Sequence, residues 1–173
     1  EGIKLKGVNT SFHFPPKMEI SGSNIDFHDA YYSKDIILSR TTANRLKVKV
    51  GDELQLYFIE QGSAPRIRKM KIKGLYHTGM EEVDKDYALC DIRLLQRINN
   101  WQPNEINGYQ LDLDDAKYMD TTASLIFEQY IDAPLYAYTM HDVYGNIFDW
   151  LRLLDKNAQI ALIIMAIVAI INM

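Results

Sequence analysis

The sequence is poor in features that define several classes of protein. A single cysteine, Cys90, excludes an internal disulfide and leaves the redox compartment open, because a free thiol is allowed on either side of a membrane. The 19 basic and 23 acidic residues are interspersed and give a formal net charge of -4, so the basic stripe that nucleic-acid binding requires is missing. We therefore expect no nucleic-acid partner.

Motifs for catalysis and for nucleotide binding are also missing. The sequence has no G-x-S-x-G elbow, no P-loop and no Rossmann glycine pattern, and its histidines lack H-x-x-x-H or H-E-x-x-H spacing. Cys90 lies in the apolar segment YALCDI, where a cysteine usually acts as a small hydrophobic residue. We expect no catalytic residue, cofactor or metal site. A hydrolase would need His13, His28 and an acid to converge in one pocket.

The C-terminal segment lacks charge altogether. Every residue from Ile160 to Ile171 is apolar, and no glycine or proline follows Asn146. The pattern predicts one helix over residues 142–173 that begins amphipathic and then enters a membrane; a buried core helix is the alternative. One face of its first half carries Val143, Ile147, Trp150, Leu151 and Leu154. Because the chain begins with Glu, we expect a piece of a longer protein.

The remaining sequence predicts an α+β fold. The segments EGIKLKGV, IIL, ELQLYFI and RIRKMKIKGLY read as strands, the last two forming a hairpin, and YALCDI reads as a strand that runs into a helical turn. Ser39 or Thr41 is expected to cap a short helix. Residues 9–35 have the composition of irregular surface. GYQLDL, the following helix and PLYAYTM are expected to form a β-α-β unit.

Glycines and acids mark the predicted turns. Gly51 is expected to adopt a positive φ angle in a structural turn, and Asp52 to accept from a free backbone N–H there. Gly74 and Gly79 are expected at bends around a solvated cluster of carboxylates. That cluster consists of Glu81, Glu82 and Asp84.

Five segments, in this order, resemble the extracytoplasmic part of FtsX-like ABC transporter permeases. They are GIKLKGVNTSF, IILSRTTANRLKVKVGDELQLYF, MKIKGLYHTGMEEVDKDYALCDIRLLQRI, INGYQLDLDDA and YAYTMHDVYGNIFDWLRLLDKNAQIALIIMAIVAIINM. The branch most similar to this chain is that of the lipoprotein-releasing Lol-type permeases, relatives of the MacB efflux transporter.

The resemblance implies a MacB-like periplasmic core domain. Its β-rich (Sabre-like) subdomain would comprise residues 11–107, and its β-α-β (Porter-like) subdomain residues 108–141. Residues 1–10 would be a strand of the α/β part. Residues 142–173 would be the amphipathic helix and the start of a transmembrane helix, at the inner membrane with the domain on the periplasmic side.

The resemblance also implies partners and roles. A cytoplasmic ATPase subunit and a second permease copy or paralogue would complete the assembly, in contact with membrane lipid. The amphipathic face from Val143 to Leu154 would be a coupling helix that relays ATP-driven motion in lipoprotein release. The hairpin loop would contact lipoproteins or a lipoprotein chaperone, although it is shorter than the chaperone-binding hairpin of Lol-type members. The residues of this contact loop are Glu60, Gln61, Ser63, Pro65, Arg66 and Arg68.

Two other functions remain open. One is a MacB-like efflux permease or a permease that activates a cell-wall hydrolase. The other is a membrane-tethered binding or sensor domain without an ATPase. An ATPase encoded beside the chain or fused to it would separate these alternatives.

Overall fold

A computed structural model of the chain describes residues 2–15, 18–59, 62 and 64–172. The chain divides into two compact units, Glu1–Tyr109, here called the sheet unit, and Gln110–Met173, here called the helical unit. The fold is α+β, as the sequence predicts: a six-stranded mixed sheet with several helices, and a long apolar helix at the C-terminus.

In the part of the chain that the structure describes, the sheet unit contains six strands and three short helices. In the sheet the strand order is β1-β6-β3-β5-β2, and β4 also pairs with β5. The β1–β6 and β3–β5 pairs are parallel, and the others are antiparallel. The strands are β1 Lys4–Val8, β2 Glu19–Gly22, β3 Asp35–Ser39, β4 Glu53–Phe58, β5 Arg66–His77 and β6 Tyr87–Asp91, and the helices are α1 Arg40–Leu46, α2 Glu81–Asp86 and α3 Ile92–Ile98.

Strand β3 lies at the centre of the sheet, and all five of its residues are buried. Its side chains alternate between two hydrophobic clusters: Ile36 and Leu38 pack in one, and Ile37 packs in the other. In β5 the register against β3 shifts at Lys73, because Ile36 pairs with Ile72 whereas Ile37 pairs with Gly74. An extra residue reverses which face the following side chains occupy. Met70 and Ile72 therefore pack in the first cluster and Tyr76 in the second.

Each face of the sheet is covered by a different part of the chain. Leu94 and Ile98 of α3 pack in the first cluster. The segment between β1 and β3 covers the second with Ile25, Phe12, Phe14, Met18 and Phe27. The expectation that residues 9–35 are only irregular is wrong for β2, which pairs with β5. All four residues of β2 are exposed, so they lack the apolar alternation by which a sequence reveals a strand.

Gly74 serves a different purpose from the bend expected of it. It lies inside β5, and a Cβ there would be 2.8 Å from the carbonyl oxygen of Ser23 and 3.3 Å from that of Ser21. We expect Gly74→Ala to lower the free energy of unfolding of the sheet unit by about 2 kcal/mol, because the neighbouring backbone must move. Urea unfolding measures this change.

Gly108→Ala is the matched control for this substitution. A Cβ at Gly108 meets nothing within 4 Å. An equal loss of stability in both variants would show that the close approach to Ser21 and Ser23 does not explain the glycine.

The first helices of the helical unit correspond only in part to the predicted β-α-β arrangement. The central helix is present, as a 3-10 turn at Ala116–Tyr118 followed by α4 Met119–Gln129. The two predicted strands are wrong: GYQLDL and PLYAYTM form no ladder among the described residues. Alternation alone does not make a strand, because each backbone edge also needs a neighbour to pair with.

The C-terminal helix begins later than predicted. A short helix, α5 Met140–Val143, ends at Tyr144, and α6 then runs from Gly145 to Ile171 without a break. Thr139 and Asp142 form a capping box that fixes the start of α5, and Tyr144 leaves the helical conformation with φ -124° and ψ 37°. Val143 therefore belongs to α5, whereas Ile147, Trp150, Leu151 and Leu154 lie on α6.

Strand β1 and the boundary between the two compact units bear on the predicted domain bounds, which stay predictions. Residues 1–10 are predicted to be a strand of the α/β part, and β1 pairs along its whole length with β6. The boundary between the units falls at Tyr109, two residues beyond the predicted position.

Candidate functional site

The β4–β5 hairpin carries the predicted contact loop. Tyr57 pairs with Ile67, next to the loop, and both side chains project from the outer face with more than half and about half of their surface exposed. Ile59, which follows β4, is 82% exposed. These three exposed apolar residues at the loop end of the hairpin are here called the hairpin ridge. An exposed apolar cluster at the end of a hairpin is a candidate contact surface.

Charged residues continue the outer face of the hairpin away from the ridge. The Lys69 Nζ atom lies 2.7 Å from a carboxylate oxygen of Glu53. This hydrogen bond lowers the pKa of Glu53 and raises the pKa of Lys69. Lys71 is exposed on the same strand. The hairpin therefore presents an apolar end and a charged stem.

Only part of the predicted contact loop can be placed. Glu60, Gln61 and Ser63 lie outside the described residues, and Pro65 is exposed. The Arg66 guanidinium donates to the carbonyl of Ile98 at the end of α3, and Arg68 donates to the carbonyl of Ile67 at 2.9 Å. Both arginines are half-buried on the face opposite the ridge. The Arg66 bond ties the hairpin to α3, whereas the Arg68 bond is local to β5. The exposed apolar residues that sequence reasoning missed are Tyr57, Ile59 and Ile67.

A signal for these missed residues was present in the sequence. In ELQLYFIE and RIRKMKIK, residues two apart share a face of a strand. Met70 is core, so Arg68 and Arg66 lie on the core side and Ile67 on the outer side. Register with β4 then brings Tyr57 opposite Ile67.

The N-terminal half of α6, which carries the charged residues of the helix, is the second candidate surface. Of the predicted coupling residues on this helix, Trp150, Leu151 and Leu154 are exposed and Ile147 is half-buried. Phe148 makes an edge-to-face contact with His141 of α5, 4.2 Å between ring centroids, which fixes the start of α6. After Phe148 every described residue of α6 is exposed. By length and composition, α6 can cross a membrane.

The predicted turn at Gly51 has the geometry of a tight turn. Gly51 has a φ angle of +96°, and the Asp52 carboxylate accepts from the Lys49 backbone N–H at 2.9 Å. The Asp52 N–H donates to the Lys49 carbonyl at 3.1 Å. These hydrogen bonds fix the chain just before β4, so the turn supports the hairpin. None of the described contacts of the turn suggests a ligand.

The predicted solvated acidic cluster is confirmed for Glu81 and Glu82, which are exposed, but these residues lie on α2 rather than in a loop, and Asp84 does not share their exposure. Asp84 is buried, and its carboxylate accepts from the Thr78 N–H and hydroxyl at 3.0 and 2.8 Å and from His77 Nδ1 at 2.6 Å. Its backbone carbonyl accepts from the hydroxyls of Ser39 and Thr42. Ser39 also caps α1, as one of the two predicted candidates. Asp84 therefore joins α1, α2 and the end of β5.

The histidines form separate pairs with aspartates. His28 lies 2.7 Å from Asp26, and His141 lies 3.0 Å from Asp120. The hydrogen bond from the His28 backbone, together with that from its side chain, lowers the pKa of Asp26. His13 is exposed. Among the described residues, no group of three or more His, Cys, Asp or Glu side chains could hold a metal ion.

A small open cleft of about 290 Å³ lies in the helical unit. Asp120 and Phe127 of α4 line it, with Thr139 and Asp142 opposite. Hydrogen bonds from the Thr139 N–H and hydroxyl lower the pKa of Asp142. The Asp142 carboxylate is already hydrogen-bonded within the capping box, and the Asp120 carboxylate is already paired with His141. The described lining of the cleft contains neither His13 nor His28.

Cys90 is fully buried in β6, and burial raises the pKa of its thiol to about 12. At pH 8 we expect native Cys90 to react with a disulfide reagent such as DTNB about a thousandfold more slowly than in urea, because so little thiolate is present. A Ser11→Cys variant, altered at an exposed position, is the control and should label within minutes. Equal rates at the two positions would contradict the structural role of Cys90.

Comparisons with known proteins give a partial match. No protein-family model matches the chain. The chain is 33% identical over 108 residues to the lipoprotein-releasing system transmembrane protein LolC of Neisseria meningitidis serogroup B. The match covers 57% of this chain and 25% of that relative, so the chain spans about a quarter of the relative's length. This similarity supports a distant link to Lol-type permeases.

Proposed function

We propose that this chain is the extracytoplasmic portion, with the start of a membrane helix, of an ABC transporter permease that takes part in lipoprotein release. The chain itself is non-catalytic. A cytoplasmic ATPase subunit hydrolyses ATP, and a second permease copy or paralogue completes the assembly in the inner membrane. The similarity to a lipoprotein-releasing transmembrane protein supports the choice of process.

The observation that carries this proposal is the continuity of α6. Its charged residues, Asp149, Arg152, Asp155 and Lys156, all lie in the first half of the helix, and from Ile160 to Ile171 it is apolar on every side. A buried core helix would have packing partners, whereas this helix is exposed after Phe148. A helix that is polar at one end and apolar all round at the other fits water and lipid in succession.

In the proposed mechanism α6 acts as a lever. Its 27 residues extend over about 40 Å, and no proline or π-bulge interrupts them. Closure of the ATPase would displace the membrane end, and the intact helix would pass the displacement to α5 through the contact of Phe148 with His141. In this mechanism the chain transmits a displacement, which requires no catalytic residue in it.

The hairpin ridge is the proposed contact for the cargo or its carrier. Tyr57, Ile59 and Ile67 offer exposed apolar surface, which suits a lipoprotein or a lipoprotein chaperone that shields acyl chains. Arg66 holds the hairpin against the end of α3 through its contact with the Ile98 carbonyl.

Co-purification tests the proposed function. The full-length tagged protein is extracted from membranes in mild detergent, and associated proteins and lipids are identified by mass spectrometry, with an untagged strain as control. Recovery of an ATPase with Walker motifs together with acylated lipoproteins would support the proposal. An ATPase fused to the chain would favour an efflux permease, and a co-purifying cell-wall hydrolase would favour a permease that activates it. Recovery of no ATPase would leave a tethered binding or sensor domain.

A further inference from the structure

In the apolar half of α6 the isoleucines are confined to one side of the helix. Between residues 160 and 171 there are six, and at 3.6 residues per turn they fall within an arc of about 120°. All six are more than half exposed, so none packs on another described element. The arc consists of Ile160, Ile163, Ile164, Ile167, Ile170 and Ile171.

The other side of the same helical stretch carries all of its alanines, interspersed with Leu162 and Met165. Ala158, Ala161, Ala166 and Ala169 lie within an arc of about 140° opposite the isoleucines. Small residues let two membrane helices approach closely, whereas a surface of branched aliphatic side chains is compatible with fluid acyl chains. The two sides of α6 therefore differ in the neighbour that each suits.

Two cations lie above the isoleucine side. Lys156 has the same angular position as the middle of the arc, about 6 Å from Ile160 along the axis, and Arg152 lies one turn further out at the edge of the arc. Arg152 also contacts Asp149, with 3.2 Å between Nη2 and Oδ1, and both side chains are more than 70% exposed. Asp155 lies about 100° round the helix from Lys156. Lys156 and Arg152 are thus the charges nearest to the isoleucines on that side, and Asp149 lies on the same side about one turn beyond Arg152.

We propose that α6 presents this one side to bilayer lipid, with its isoleucines against acyl chains and with Lys156 and Arg152 on the phosphate groups of the adjoining headgroup layer. Charge complementarity identifies the occupant, because phospholipid phosphates are anionic and lie at the boundary between the apolar and the charged half of the helix. Lysine and arginine side chains near the end of a membrane helix extend to that layer. The inference rests on the proposed function, since it requires α6 to enter the membrane.

Spin labelling tests the orientation of α6. Single cysteines replace Ile163, Ala161, Ile167 or Ala169 in the full-length protein, reconstituted in vesicles of phosphatidylcholine and phosphatidylglycerol. Each isoleucine is matched with an alanine whose depth differs by about 3 Å. Labelling of the unsubstituted protein measures any contribution from Cys90. We expect accessibility to oxygen, which dissolves in lipid, to be at least twofold higher at the two isoleucine positions.

The result separates failure of this inference from failure of the proposed function. Equal oxygen accessibility on both sides, or higher accessibility at the alanines, would overturn the orientation and leave a membrane helix in place. Access of a water-soluble nickel chelate to all four positions would show that α6 is not in the bilayer, which would overturn both.

Lipid selectivity tests the two cations. The ratio of spin-labelled phosphatidylglycerol to phosphatidylcholine immobilised at the protein surface is compared between the wild type and the double variant Arg152→Gln/Lys156→Gln. We expect the ratio to fall at least twofold, because each cation near an anionic lipid surface contributes up to about a fivefold preference. The control Lys47→Gln/Lys49→Gln removes two exposed charges from the sheet unit. An unchanged ratio, or an equal fall in the control, would overturn the role of Arg152 and Lys156.

Discussion

Asp91→Ala is expected to lower the free energy of unfolding of the sheet unit by about 4 kcal/mol, because the substitution leaves a network of buried donors without an acceptor. Asp91 has no exposed surface. One carboxylate oxygen accepts from the Ser33 N–H at 2.7 Å, and the other accepts from the Arg93 N–H at 2.9 Å, which caps α3. The Arg93 guanidinium also contacts both oxygens.

Arg93 extends the effect of this substitution to a distant loop. Its guanidinium donates to the carbonyls of Asp29 and Phe27 at 2.8 and 3.0 Å, in the segment that covers the second face of the sheet. The hydrogen bond with Asp91 raises the pKa of Arg93, which therefore remains charged. Without Asp91 this charge has no carboxylate partner, and we expect the covering segment to loosen together with α3.

Urea unfolding measures the effect of Asp91→Ala. Trp101 fluorescence in a Trp150→Phe background reports on the sheet unit alone, because Trp101 belongs to that unit and Trp150 to α6. Asp86→Ala is the matched control, since Asp86 pairs with Lys4 at 2.9 Å but both side chains are more than half exposed. Such a pair contributes little. If Asp91→Ala shifts the midpoint no further than Asp86→Ala, the buried network does not stabilise the unit.

The strands that sequence reasoning predicts correctly are those whose own residues carry the signal. In β4 and β5 apolar and polar residues alternate, and the apolar run of β3 reflects burial on both faces. The sequence does not reveal strand β2, because its residues are exposed and, among the described residues, its pairing is with β5. GYQLDL and PLYAYTM show the converse, since each has the pattern of a strand but no partner among the described residues.

The candidate site is less predictable because it depends on contacts between distant residues. The carbonyl of Asp84 accepts from Ser39, 45 residues earlier in the chain, and no local pattern distinguishes this buried acid from the exposed Glu82. The half-buried position of the Arg66 side chain likewise depends on its hydrogen bond to the Ile98 carbonyl at the end of α3, 32 residues later in the chain. The apolar half of α6 was predictable because its signal is a run of side chains within a single helix.

Leu151→Pro is expected to reduce ATP-driven lipoprotein release at least tenfold, if α6 is the lever in the proposed function. Proline at this position removes the hydrogen bond from residue 151 to the Ile147 carbonyl, and its ring clashes with that carbonyl. Leu151 lies in the charged half of α6, outside the apolar run. The helix would bend between Ile147 and Ile160, so that displacement of its membrane end would no longer reach α5.

Release of a labelled lipoprotein from reconstituted vesicles, measured together with ATP hydrolysis, checks this expectation. Leu151→Ala is the matched control: it removes the same exposed side chain but preserves the helix, and we expect it to retain most of the release activity. Co-purification of the ATPase with both variants would establish that the assembly is intact. Release at the wild-type rate by an intact Leu151→Pro assembly would mean that α6 does not transmit the motion. Loss of release while ATP hydrolysis continues would identify the helix as the mechanical link, because only a step after hydrolysis would then have failed.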